Sequence, residues 1–286
     1  LRATPQDDDL IMAREAPAGN VAIIKNGEKV CLGQRTVLLR PDKTKVYPDY
    51  LAYYLLAPQQ QYGLLGTANG ATVAHVNIPV IKTLPVSLPS IERQKKAADI
   101  LIAYDDLIEN NQQQIKLLEE AAQRLYKEWF VDLRYPGHEN APVVDGVPDG
   151  WKRTIFSERV DVLSGGTPKT SNPEYYNGTI PFYSPKDSDD RFFAFDTETH
   201  ISEIGLDNCN SKLYPEDTII ITARGTVGKT TILAKPMAMN QSCYALRSTE
   251  VSSVYFLFFA LRQEIQVLKT MANGGVFDTI IVKTFD

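Results

Sequence analysis

The sequence predicts an α+β protein, with two repeated domains of mixed strands and helices joined by a long helix of coiled-coil type. Three observations predict it. Colinear blocks recur along the chain: "DLIMAREAPAGNVAII" resembles "DTIIITARGTVGKTTIL", "CLGQRTVLLR" resembles "AMNQSCYALR", and the Tyr-rich block from Tyr50 resembles the Phe-rich block from Ser253. The offset drifts only from 210 (Arg14 and Arg224) through 207 (Gln34 and Gln241) to 204 (Asn69 and Asn273). Between the copies, residues 90–132 run without Pro or Gly and carry apolar residues every seven positions.

Each copy reads in the same order. A strand (Leu10–Ala13; Thr218–Thr222) leads into a Gly-containing turn, where Gly19 and Gly228 are expected at φ > 0. A second strand (Val21–Ile24; Thr230–Leu233) and a third (Val37–Arg40; Tyr244–Arg247) follow. Then come an apolar helix (Tyr50–Leu64; Val254–Met271) and an Ala-Asn-Gly turn at 68–70 and 272–274, after which both copies continue as short strands or turns. The second copy has about 65 residues before its first strand that the first copy lacks. The chain opens on Leu1 without an initiator Met, so a fragment or trimmed chain is expected, with the first domain truncated at its start.

The helix over 90–132 has Ser90 as its candidate N-cap and Glu92 in its first turn, where the helix dipole favours a carboxylate. Leu101, Ile108, Ile115, Ala122 and Trp129 form one seam row, and Tyr104, Asn111, Leu118 and Leu125 the other. At about 1.5 Å per residue it is roughly 60 Å long, more than one small domain covers. A partner helix is therefore expected from another chain or from a segment beyond this one, with Asn111 fixing register. The Pro- and Gly-rich stretch 133–150 reads as a linker loop.

Composition narrows the classes. The chain has 286 residues, 43% hydrophobic and 23% charged, with a net charge of −5 that argues against a general polyanion binder. Residues 1–89 hold nine Lys/Arg against seven Asp/Glu and 90–132 six against nine, so a nucleic-acid face would be a local patch. No apolar run is long enough to span a bilayer. Cys31, Cys209 and Cys243 are far apart and form no CxxC pair, and His75, His138 and His200 are equally scattered; no metal site, disulfide framework or cofactor is expected, and a reducing cytoplasmic setting is.

"ARGTVGKTT" (223–231) approximates a P-loop with Ala223 in place of the first Gly. The other copy reads "AREAPAGNV": it keeps a Gly but has Asn20 and Val21 where Lys229 and Thr230 would touch phosphate and magnesium. The β-branched Thr230, Thr231 and Ile232 also predict a strand where a P-loop opens a helix. No nucleophile–base set or carboxylate pair stands out, so a non-catalytic binding or scaffold protein is the expectation.

"LPVSLPSIERQKKAADIL", the heptad helix ending "LYKEWFVDLRYPG", and "VPDGWKRTIFSERVDVLSGGTPKTSNPEYYNGTIPFYSPKD" together resemble the specificity subunit of Type I restriction-modification enzymes, over essentially the whole chain. The resemblance implies two target recognition domains, each reading half of a bipartite site in double-stranded DNA, with helices that set the spacing and dock adenine methyltransferase subunits. A motor-nuclease subunit can join; methylation and cleavage belong to those partners. On this resemblance 1–89 is the C-terminal part of the first recognition domain, 90–132 the spacer helix, 133–150 the linker and 151–286 the second domain. The second spacer helix is absent here, so self-association through Leu101, Ile108, Ile115, Leu118 and Leu125 is expected. Without the resemblance, a coiled-coil scaffold with paired globular heads stays open.

Copies that read different half-sites share scaffold and differ at base contacts. Arg14/Arg224, Gly19/Gly228, Gln34/Gln241 and Arg40/Arg247 read as shared, the arginines at 14 and 224 as phosphate grips. Differing polar loop residues are the candidates for base readout: Lys229, Lys186, Ser184, Tyr183, Arg191, Thr167 and Lys169 in the second copy, and Glu15, Asn20 and His75 in the first.

Overall fold

A computed structural model of the chain describes residues 4–66, 75–189, 191–248, 253–271, 280 and 282–285. The Ala-Asn-Gly turns expected at 68–70 and 272–274 lie outside them. The chain divides into two compact units, Leu1–Ile115 and Lys116–Asp286.

In the first unit β1 (Leu10–Ala13), β2 (Val21–Ile23) and β3 (Thr36–Leu39) form an antiparallel sheet in the order β2-β1-β3. Leu10 and Met12 point into the core with Ala52, Leu55, Leu64 and Val76, as the two-residue period of a strand requires. The single helix expected over Tyr50–Leu64 is two: α1 (Pro48–Leu56) and α2 (Pro58–Leu65). Pro58 disfavours helical backbone in the residue before it, and Ala57 is extended at φ −61°, ψ 141°. A short helix α3 (Ile78–Thr83) replaces the extended run expected there, with Pro79 in its first turn, where a missing N–H costs nothing.

The long helix α4 spans Ile91–Tyr126 and ends in a π-helical turn, Lys127–Val131. The Ser90 carbonyl accepts the Gln94 N–H at 3.0 Å, which places Ser90 at the cap position. Gln94 is fully buried: it accepts the Tyr47 N–H at 2.8 Å and donates to the Pro89 and Lys45 carbonyls, tying the start of α4 to the first unit.

The second unit takes in the C-terminal part of α4 and continues with a small ribbon, β4 (Val143–Val144) and β5 (Val147–Pro148). Next come β6 (Val160–Ser164), β7 (Ile180–Tyr183), β8 (Phe193–Ala194), β9 (His200–Ile201), the short α5 (Glu203–Asp207), β10 (Ile219–Thr222), β11 (Thr230–Leu233), β12 (Ala238–Met239) and β13 (Cys243–Ser248). The helix α6 (Val254–Met271) closes the series. The main sheet runs β6-β13-β10-β11-β8, and a smaller one β12-β7-β9. The continuous Ile219-Ile220-Ile221 run is explained by burial on both faces. Ile219 and Ile221 pack with Phe258, Leu261 and Ile265, whereas Ile220 packs on the other side with Leu233, Ala245 and Met239. The C-terminal end of α4 stacks Tyr126 on Phe259 and sets it against Phe256, and Glu119 Oε1 accepts the Phe192 N–H at 3.0 Å. Burial pushes the Tyr126 hydroxyl up to about 12.

Arg40 forks onto Asp9 with both contacts at 2.7 Å, and Asp9 is 1% exposed. This bond holds the Asp9 carboxyl below its usual value of 3.8. Since the folded value is depressed, the contribution is present above pH 3.8 and is lost as pH falls through the folded value. Arg40→Ala leaves a buried carboxylate unpaired. It is expected to destabilise the first unit at neutral pH. The difference from wild type should shrink below about pH 4, as read by denaturant melts across pH; a constant difference down to pH 2 would contradict the pairing.

Candidate nucleic-acid interface

The two copies can be matched bond by bond. Ala13 N–H donates to the Asn20 carbonyl at 2.8 Å and Gly19 N–H to Ala13; Thr222 N–H donates to Lys229 at 2.9 Å and Gly228 N–H to Thr222. Asp8 and Asp217, Ala16 and Gly225, and Gly19 and Gly228 all have positive φ. The β1–β2 and β10–β11 hairpins therefore align at one constant offset of 209, with loops of equal length. Further on, Arg14 N–H donates to Arg35 and Ala223 N–H to Ser242, while Val76 N–H donates to Arg14 and Ile280 N–H to Ala223.

This register corrects the sequence alignment. Arg14 corresponds to Ala223, and Arg224 corresponds to Glu15. There is no common arginine at the tip, so Arg14 and Arg224 are not one shared phosphate grip. Their surroundings differ too. Arg14 is tied back, its Nε donating to the Val76 carbonyl at 3.0 Å and its Nη2 to His75 Nε2 at 2.8 Å. A guanidinium only donates, so His75 carries its proton on Nδ1 and donates that N–H to Glu15 Oε1 at 2.6 Å; Arg35 approaches the other Glu15 oxygen at 3.3 Å. Arg14 and His75 are thus internal supports of the first hairpin tip. Asn20 and Gln34 are exposed. Arg224 is exposed at the second tip and makes no side-chain hydrogen bond or ion pair among the described residues.

Around the second tip four loops are bound edge to edge. Ala223 N–H donates to Ser242, Asn240 N–H to Tyr183, and Gly166 N–H to Met239. Thr226 Oγ1 reaches the Pro185 carbonyl at 3.5 Å. The rim so formed carries Thr167, Lys169, Lys186, Arg224 and Gln241, all exposed. Thr167 Oγ1 donates to Gln241 Oε1, which leaves the Gln241 amide N–H₂ available outward. Ser184 is a cap: its N–H and hydroxyl both reach Asp187 Oδ2, at 2.9 and 2.8 Å. Asp187 Oδ1 takes the Glu198 N–H at 2.8 Å, so this carboxylate is committed to the turn. Arg191 is held by Asp189 through both its backbone N–H and its side chain.

Two candidates move. Tyr183 is 3% exposed, packed with Tyr214, Met239 and Cys243, and its hydroxyl is pushed up by burial. It is a core residue and is withdrawn as a base reader, because β7 buries three consecutive residues between sheet neighbours from distant parts of the chain. Lys229 does not stand on the rim. Half-buried, it lines a cleft of about 500 Å³ with Arg124, Lys127 and Arg262, and with Glu120 and Asp189 also in the lining. The helical cations of this cleft were missed in the sequence; Arg124 and Lys127 share one helix face at i, i+3, which is the signal that could have found them. Thr230–Leu233 is a strand, so the P-loop geometry is absent.

Among the described residues no His/Cys/Asp/Glu group could hold a metal ion, and none of their helices is long and apolar enough to cross a membrane.

Two units built on one hairpin scaffold, with a long helix between two sheet-bearing regions in the chain, define an α+β protein. The family model described as the Type I restriction modification DNA specificity domain matches residues 3–120 and again 148–286, and the chain belongs to that family. It is 25% identical to the Type I restriction enzyme HindI specificity subunit of Haemophilus influenzae, over 84% of this chain and 66% of that protein. It is 30% identical to the MjaIX specificity subunit of Methanocaldococcus jannaschii, over 79% of this chain and 52% of that protein. The chain thus spans about half to two thirds of the length of these relatives. The crystal structure of the Type I restriction-modification S subunit from M. genitalium shares the fold, with a TM-score of 0.53 at 16% identity over 97% of this chain and 69% of that one.

Proposed function

We propose that this chain is the DNA sequence-recognition subunit of a Type I restriction-modification complex, reading a bipartite duplex target and docking adenine methyltransferase subunits. The repeated hairpin, identical in its backbone bonds and different in its tip side chains, supports this reading best. Shared backbone with unlike exposed side chains is what two reading heads for two different half-sites require. In this reading 1–89 and 151–286 belong to the two target recognition domains, 90–132 is the spacer and 133–150 the linker. Two heads on a helical spacer suit half-sites about one turn of B-DNA, or 34 Å, apart. The chain supplies specificity in the cytoplasm, while its partners supply methylation and, through a motor-nuclease subunit, cleavage. The acidic surface of α4 suits protein partners better than phosphate.

The test is a competition assay on the chain reconstituted with its methyltransferase subunits. Duplex containing the motif it methylates is expected to compete roughly a thousandfold better than unrelated duplex at the same salt. Equal competition would favour a coiled-coil scaffold with paired heads instead.

A further inference from the structure

The tip position shared by the two hairpins is occupied by Glu15 in one unit and Arg224 in the other, at the constant offset of 209 that their hydrogen bonds impose. A residue gripping phosphate in both units would keep its sign, since a carboxylate repels phosphate. This position inverts it. Glu15 is closed off by His75 and Arg35, whereas Arg224 is exposed and unpaired among the described residues. Arg224 also stands on a fixed support. Thr226, two residues on, reaches the Pro185 carbonyl at 3.5 Å, Ala223 is bound through both its N–H and its carbonyl, and Thr222 Oγ1 accepts the Lys229 N–H at 3.0 Å beneath the tip. The guanidinium is thus carried on a held backbone with its donors free, which is what bidentate contact to guanine O6 and N7 needs.

We infer that Arg224 is a specificity-determining residue that reads a guanine in the half-site of the second unit. This rests on the proposed function above and adds to it the base and the residue. The competing role, a phosphate contact, predicts a different response. Losing a phosphate contact weakens binding evenly across sequences and lowers the salt slope by about one.

The experiment expresses the full chain with its adenine methyltransferase subunit in a host without adenine methylation, and maps methylated sites by sequencing. The unaltered chain is expected to give a bipartite motif with a required guanine in one half. Arg224→Gln should relax that single position, lowering the ratio of methylation rates on guanine over the other bases about tenfold or more. The other half-site should stay as it was, which also reports that the complex has assembled. Arg224→Lys should keep part of the preference. An unchanged motif with uniformly lower methylation would overturn the inference and leave the recognition reading standing. Absence of any motif from the unaltered chain would overturn both.

Discussion

At about 100 μM the chain is expected to sediment as a dimer, and Ile115→Asp with Leu118→Asp to return it to monomer mass. The reason is the seam of α4. Ile108 and Ile115 are 52% exposed, Leu118 70% and Leu125 49%, so the heptad rows that predicted a coiled coil lie open on the single chain. Full burial of a Leu or Ile contributes about 1.5–3 kcal/mol, and a seam formed from two chains counts each position twice. Aspartate removes that gain and adds the cost of burying a charge. Four such side chains together lose about 4 kcal/mol or more, which corresponds to roughly a thousandfold rise in the dissociation constant, and sedimentation over a concentration series resolves it. At concentrations low enough for both chains to be monomeric their melting temperatures should agree closely, because both positions are already solvated in the monomer. A wild-type chain that stays monomeric at this concentration would mean that the seam does not pair with a second copy.

The same helix shows how much was legible beforehand and why the rest was not. Its span, its seam and the position of its start follow from local rules: no Pro or Gly, a period of seven, and Ser90 ahead of the first turn. The hairpin strands were legible too, because β-branched runs ended by glycines are local signals. The register of the repeat was legible only in part: Gly19 with Gly228 and Asn20 with Lys229 are matched correctly, but Arg14 is not. Aligning like with like sets Arg14 against Arg224, whereas the cross-strand bonds to Asn20 and Lys229 set Arg14 against Ala223. The paired strands decide between the two offsets. Tyr183 failed for a related reason. Its polar neighbours in "FYSPKDS" suggested a loop, but its burial is decided by β9 and β12, distant in sequence and adjacent in the small sheet. The break at Ala57 was legible and missed, since Pro58 is itself a sufficient signal.

Gly165→Ala is expected to lower the stability of the second unit by about 3 kcal/mol and to impair recognition of its half-site while sparing the other. A Cβ at this position would lie 2.2 Å from the Asn240 carbonyl oxygen and 2.5 Å from that of Met239. Both atoms are backbone, so no side chain can swing aside. Asn240 is anchored in turn, its N–H donating to the Tyr183 carbonyl at 2.9 Å, and Gly166 N–H bonds Met239 at 3.1 Å. The next residue is no more tolerant, since a Cβ at Gly166 would come within 2.6 Å of the Asn210 backbone nitrogen. Relief therefore requires the Gly165–Gly166 strand end to move away from the 240–242 turn. That parts Thr167 from Gln241 and displaces two edges of the rim that also carries Arg224. For a unit of this size the loss corresponds to roughly 6–12 °C in melting temperature. Gly33→Ala, where the added carbon meets nothing within 4 Å, serves as the matched control and should change stability by less than about 0.5 kcal/mol. If Gly165→Ala melted with the wild type and kept both halves of the motif, the close packing of these loops could not be what holds the rim in shape.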